Sequence, residues 1–146
     1  MEFKKFSTST AGFCVMDEEN YIEAENVDTP IDFVENPHGL IFKQKKDLKA
    51  AVGDYYHADF KGIQEVMLHL AICHTVVIDK NKGVYNAASP DELALVDGAK
   101  AEGYEFVGRE ADNVIVIRDS QGYTLRYQVL NVLEFNSTRK RMSVID

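Results

Sequence analysis

The sequence predicts an α+β fold, an antiparallel sheet flanked by helices, and three features predict it. Apolar residues recur with a helical period from Lys61 onward. A helix start is punctuated at Ser89-Pro90-Asp91-Glu92, and apolar and polar residues alternate as in strands from Tyr104 almost to the end. With 146 residues, 45% of them hydrophobic, one domain with its own core is the default.

Taken in order, residues 1–15 set Phe3, Phe6, Phe13 and Val15 among Ser and Thr, which predicts a strand, or two with a turn near Gly12. Residues 16–40 are predicted to be an acidic loop, broken by Asp28-Thr29-Pro30 and Asn36-Pro37-His38-Gly39, whose carboxylates lack a metal-binding spacing. A short helix is predicted from Asp47 to Tyr55, with Lys43, Lys45, Lys46 and Lys49 on its exposed side.

Residues 61–77 read as a core helix. Ile63, Val66, Met67, Leu70, Cys73 and Val77 fall on one stripe, and Leu68, Ile72 and Val76 fall on the next. His69, Cys73 and His74 invite a zinc site, but their spacing does not reproduce a usual ligand set, so core or capping histidines are expected. After a turn at Asp79-Lys80-Asn81-Lys82-Gly83 and a short strand at 84–86, a capped helix is predicted over 89–102. Its Ser89 stands at the N-cap, Pro90 at the first position and Glu92 at the third, the pattern of a capping box. Residues 104–145 read as antiparallel strands with a turn at Asp119-Ser120-Gln121-Gly122. In the long strand after that turn, Tyr123, Leu125, Tyr127, Val129, Leu133 and Phe135 share a face.

Composition narrows the function. Lys+Arg 16 against Asp+Glu 24 gives a net charge of -8, which argues against nucleic acid as a partner. An anion must then be held by a local cluster, and the dense ones are Lys43 to Lys49 and Arg139 to Arg141. Two distant cysteines, Cys14 and Cys73, fit a reducing compartment. No apolar run is long enough to span a bilayer, and Met1-Glu2-Phe3-Lys4-Lys5 lacks the apolar core of a signal peptide. The chain stops at Ile145-Asp146 inside a strand-like run, as expected of a piece of a longer protein.

Phe135 beside Arg139-Lys140-Arg141 suggests a nucleotide, since a ring stacks on a base while cations hold phosphates. Equally, Phe135 could be core and the cations a solvated turn. Those residues alone leave both open.

Two longer stretches add to this. Ala88-Ser89-Pro90-Asp91-Glu92-Leu93-Ala94-Leu95-Val96 and Leu130-Asn131-Val132-Leu133-Glu134-Phe135-Asn136-Ser137-Thr138-Arg139-Lys140-Arg141-Met142-Ser143-Val144-Ile145 resemble the nucleotide-binding domain of P-type ATPases. Their detailed form resembles the phospholipid-transporting subfamily, the flippases. Leu70-Ala71-Ile72-Cys73-His74-Thr75-Val76 also resembles the helix that family places before its Ser-Pro-Asp-Glu segment.

The resemblance implies a partial, truncated nucleotide-binding domain over 1–146, with ATP bound by Glu92, Phe135, Ser137 and Lys140. Phe135 would stack on adenine, Glu92 would stand at the adenine pocket, Lys140 would lie near the phosphates and Ser137 would be a neighbour of the pocket. Mg2+ would arrive with the nucleotide and not be held by these residues. The family's Asp-Lys-Thr-Gly-Thr and Lys-Gly-Ala motifs are absent from the sequence, so the chain alone should be inactive. Its partners would be the phosphorylation and membrane domains of a parent integral membrane protein, with this segment on the cytosolic side and an accessory subunit as a further candidate. The alternative is a non-enzymatic interaction domain, with Arg139-Lys140-Arg141-Met142-Ser143 as a docking patch regulated by a kinase.

Overall fold

The computed structural model describes residues 1–16 and 42–146, so the acidic loop, apart from Met16, lies outside the described residues. The described chain is α+β and divides into two compact units, Lys4–Gly62 and Met1–Phe3 with Ile63–Asp146.

In the Lys4–Gly62 unit, β1 (Lys5–Ser7) and β2 (Gly12–Cys14) pair antiparallel, through a turn closed by the Thr8 N–H on the Ala11 carbonyl at 2.7 Å. A parallel partner, β3 (Phe42–Lys43), lies beside β2, a pairing the antiparallel expectation did not include. Helix α1 (Lys45–Val52) starts earlier than predicted because Asp47 Oδ2 accepts the Gln44 N–H at 3.1 Å. It buries Leu48 and Ala51 in a core with Phe13, Cys14 and Phe60. The Lys43 ammonium donates to the buried Asp59 carboxylate at 2.6 Å and holds its pKa below the usual range against the cost of burial.

Helix α2 (Phe60–Ile72), which belongs to the other unit from Ile63 onward, buries Ile63, Met67 and Ala71 along one stripe. It is shorter than the predicted 61–77, and hydrogen bonding at its end explains why. In a continuing helix the Thr75 N–H would donate to the Ala71 carbonyl and the Val76 N–H to that of Ile72. Instead the His74 ring takes over: Nε2 bonds the Ala71 carbonyl at 2.7 Å, and Nδ1 accepts the Val76 N–H at 3.0 Å. The Thr75 N–H leaves the helix altogether and donates to Glu92 Oε1 at 3.0 Å. Freed in this way, Val77 enters a strand, β4 (Val77–Asp79), paired with β5 (Val84–Asn86) around a left-handed Gly83.

Helix α3 (Pro90–Ala101) follows, with Ser89 Oγ accepting the Asp91 N–H at 3.2 Å and Pro90 at the first position. The capping box is half made, because Glu92 turns away to Thr75. Gly98 lies so close to the Phe3 ring that a side chain there would collide with it.

A three-stranded antiparallel meander comes next: β6 (Glu105–Glu110), β7 (Val114–Arg118) and β8 (Thr124–Gln128). Its inner residues Phe106, Ile115 and Ile117 meet Val76, Val96 and Tyr104 in the buried core of this unit. The predicted long strand is two strands. After β8 the Val129 N–H donates to Asn113 and the Leu130 N–H to Ile145, so the chain changes partner and β9 (Asn131–Leu133) pairs with β10 (Ser143–Ile145).

His74 is 1% exposed, and burial lowers its pKa to about 4. Both ring nitrogens are engaged in the neutral state, with the proton on Nε2; a second proton on Nδ1 would oppose the Val76 N–H. Between its ordinary value of 6.5 and about 4, the unfolded chain holds a proton on this residue that the folded chain refuses. Stability therefore falls as pH falls through that window, by about 3 kcal/mol for this group, and levels off below it. In urea titrations across the window, His74→Gln should show a shallower pH slope than the parent; an identical slope in a folded variant would assign the effect elsewhere.

Candidate functional site

The predicted site residues fall on two elements of the same unit. Glu92 is in the first turn of α3, while Phe135, Ser137 and Lys140 lie in the loop of the β9–β10 hairpin. Both elements lead back to the segment that follows α2. Cys73 Sγ donates to the Met142 carbonyl at 3.9 Å, at the returning end of the hairpin, and the next residue but one, Thr75, holds Glu92. Burial raises the Cys73 pKa, a backbone bond from Val144 opposes that rise, and the Glu92 charge adds to it. Glu92 and the base of the hairpin thus meet at Cys73–Thr75.

Phe135 is 63% exposed, so it is not a core residue. The loop around it is shaped by its own polar groups. Asn136 Oδ1 accepts the N–H groups of Thr138 and Arg139 at 3.1 and 2.7 Å, an Asx turn, and the Asn136 carbonyl accepts the Lys140 N–H at 2.8 Å. Lys140 has φ 54°, the left-handed region that favours glycine. A non-glycine residue at such a position carries backbone strain. Ser137 is exposed on the turn. The neighbouring cations are partly spent on the loop itself: Arg139 Nη1 donates to the Glu134 carbonyl at 3.5 Å, and Arg141 Nη1 to that of Arg139 at 3.1 Å. Ser143 is in β10, paired with Leu133.

Glu92 is held tightly for a half-exposed acid. The Thr75 N–H and hydroxyl reach Oε1 at 3.0 Å each, and the hydroxyl also lies 3.1 Å from Oε2. Beneath Thr75, Arg109 Nη2 donates to the carbonyls on either side, His74 at 3.1 Å and Val76 at 3.4 Å. The guanidinium also lies over the Phe106 ring, 5.6 Å from its centroid. Desolvation lowers the Arg109 pKa and the Glu92 charge raises it, which places the two within electrostatic reach. The sequence reading did not single out Thr75 or Arg109. A hydroxyl directly after an apolar helix, and a cation in a strand that otherwise pairs with an apolar run, were the available signals.

The zinc constellation does not form, since both nitrogens of His74 are committed. Among the described residues no group of three or more His, Cys, Asp or Glu is placed to hold a metal ion. At the other basic cluster, Lys43 borders an open pocket of about 260 Å3 with Asp47, Ala50 and His57, but its ammonium is committed to Asp59. Among the described residues, no helix is long and apolar enough to cross a membrane.

No protein-family model matches the chain. The Phospholipid-transporting ATPase DRS2 of Saccharomyces cerevisiae is 40% identical over 148 residues, covering 99% of this chain and 10% of that protein. The Phospholipid-transporting ATPase DNF2 of the same yeast is 44% identical over 117 residues, 75% of this chain and 7% of that protein. In Mus musculus, the Phospholipid-transporting ATPase IK is 46% identical over 87 residues, 58% of this chain and 6% of that protein. The chain spans about a tenth or less of the length of these curated relatives. Its relatives at 40–44% identity over most of its length are phospholipid-transporting P-type ATPases, and the chain is similar to one short segment of them.

Proposed function

We propose that the chain is the nucleotide-binding segment of a phospholipid-transporting P-type ATPase, and that it holds ATP for phosphoryl transfer to an aspartate in another domain of the parent. The observation that carries this reading is the exposed Phe135 ring, raised on a hairpin loop whose base meets the segment that anchors Glu92. An exposed ring offers a face to a base. Glu92 accepts from the exocyclic amine of adenine, and Lys140 meets the phosphates as a point charge. Ser137 is exposed on the same loop as Lys140 and is the neighbouring polar group in this reading.

Mg2+, carried by the triphosphate and not held by these residues, would neutralise part of its charge. The chain's own contribution is binding and orientation, which converts the transfer into a reaction between fixed partners. In the parent, on the cytosolic side of a membrane, formation of an aspartyl-phosphate couples hydrolysis to the conformational change that moves lipid. The sequence has no Asp-Lys-Thr-Gly-Thr motif, so the chain alone binds nucleotide without hydrolysing it.

An amide-resolved NMR titration of the chain with Mg-ATP, with Mg-GTP as control, should move resonances at Glu92 and from Phe135 to Lys140, and move them more for ATP. A dispersed spectrum with no response to either nucleotide would count against the reading. Phe135→Ala should weaken ATP about five- to a hundredfold, the usual value of one stacking ring. Lys140→Gly separates the side chain from its strained backbone: it should weaken ATP while leaving the thermal midpoint unchanged or higher, because glycine relieves the left-handed cost of roughly 1 kcal/mol. A clear drop in midpoint would show that the lysine is there for folding instead.

A further inference from the structure

A carboxylate on the first turn of a helix has three side-chain torsions and ordinarily samples several of them. Glu92 does not have that freedom, because Thr75 presents two donors to it, a backbone N–H and a hydroxyl. Those donors bring only two hydrogens to a group with about four acceptor sites. Oε1 takes the N–H and a share of the hydroxyl, both at 3.0 Å, and Oε2 keeps only the longer approach, at 3.1 Å. The oxygen with capacity to spare is therefore Oε2, and its direction is fixed by Thr75.

Thr75 in turn cannot follow the carboxylate if it swings. The Arg109 guanidinium holds the carbonyls before and after it, at 3.1 and 3.4 Å, and the buried His74 ring bonds the Val76 N–H at 3.0 Å. Residues 74–76 are thus a rigid strip, fixed from the core side, with the Thr75 donors facing α3.

Orientation of this acid matters for the choice of base. Adenine offers one exocyclic amine at the position where guanine carries an oxygen acceptor. A carboxylate free to turn can also serve guanine, by accepting from its ring N–H and its own amine together. A carboxylate with one oxygen already occupied has a single acceptor to offer, which suits adenine and leaves guanine with a repelled oxygen or a lost bond. We infer that Thr75 is a positioning residue for nucleotide selection: by occupying Glu92 Oε1 it leaves Oε2 for the adenine amine and so sets the preference for adenine over guanine. This rests on the nucleotide-binding reading above.

The test is the ratio of dissociation constants for Mg-GTP and Mg-ATP in the 146-residue chain, measured for the parent, Thr75→Val, Thr75→Ser, Glu92→Gln, Phe135→Ala and the Thr75→Val/Glu92→Gln pair, with a thermal melt of each. Valine keeps the shape and the backbone N–H on Oε1 but removes the hydroxyl, which spans both oxygens and stops the carboxylate from turning about that single bond. It should cut the preference for ATP about fivefold, the value of one ordinary hydrogen bond. Serine restores the hydroxyl and should keep the parent's ratio. With Glu92→Gln already present, Thr75→Val should change the ratio no further, because the two act as a unit.

The inference is overturned if Thr75→Val folds and keeps the full preference, if serine loses as much as valine, or if the valine effect persists undiminished beside Glu92→Gln. Those outcomes leave the parent's own ATP preference intact. Failure of the underlying reading would look different: a parent that discriminates between neither nucleotide, with Phe135→Ala binding as the parent does, and the inference would fall with it.

Discussion

The arrangement of the larger unit depends on one exchange of hydrogen bonds at the end of α2. The helix gives up two of its amides. The Val76 N–H goes to the ring of His74 and the Thr75 N–H to the carboxylate of Glu92, while the same imidazole satisfies the Ala71 carbonyl. The amides of Thr75 and Val76 and the Ala71 carbonyl are thereby paired again, as stopping a helix against a core requires. Because one of the replacement acceptors belongs to α3, the stop also joins two elements distant in sequence. A longer α2 would leave Val77 out of β4 and Glu92 without its donors.

The imidazole at this junction must be neutral, and the core enforces it. His74 lies edge-on to Phe106, with ring centroids 4.5 Å apart, and burial outweighs the opposing effects of its bond to Ala71 and of the Glu92 charge. Arg109 supplies the positive charge instead, from the partly solvated side, where a guanidinium costs less to keep. The acid of the site is thus held by neutral donors, with a cation one step behind. Among the described residues its charge is not cancelled by a direct ion pair, and it is half-exposed to solvent.

The fold class was legible because periodicity reports faces, and the helical face was read correctly at Ile63 and Met67 in α2. What periodicity cannot report is partner identity. Val129 continues the alternation of β8, yet its amide and that of Leu130 pair with Asn113 and Ile145, on different elements. Val77 continues the stripe of α2 equally well, and only the ring of His74 and the acid of Glu92 decide that it leaves the helix. Glu92 itself satisfied the pattern of a capping box. Its departure to Thr75, 17 residues earlier, is a long-range choice that no local spacing encodes. The parallel pairing of β3 with β2 was hidden for the same reason, since two residues show no period at all.

The site that results has two halves of opposite character. Glu92 is fixed through Thr75 to a strip braced by the core, whereas Phe135 and Lys140 ride on a hairpin loop whose shape comes from Asn136 and from one strained backbone position. Anchoring the acid makes sense if its task is to discriminate, because discrimination depends on direction and is lost when a side chain can turn to suit either ligand. A ring and an ammonium need less. Stacking tolerates sliding of one plane over the other, and a point charge attracts phosphate from a wide range of angles. On the nucleotide-binding reading proposed above, the rigid contacts fall on the one group whose orientation would carry information, and the groups that would supply attraction lie on the more exposed element.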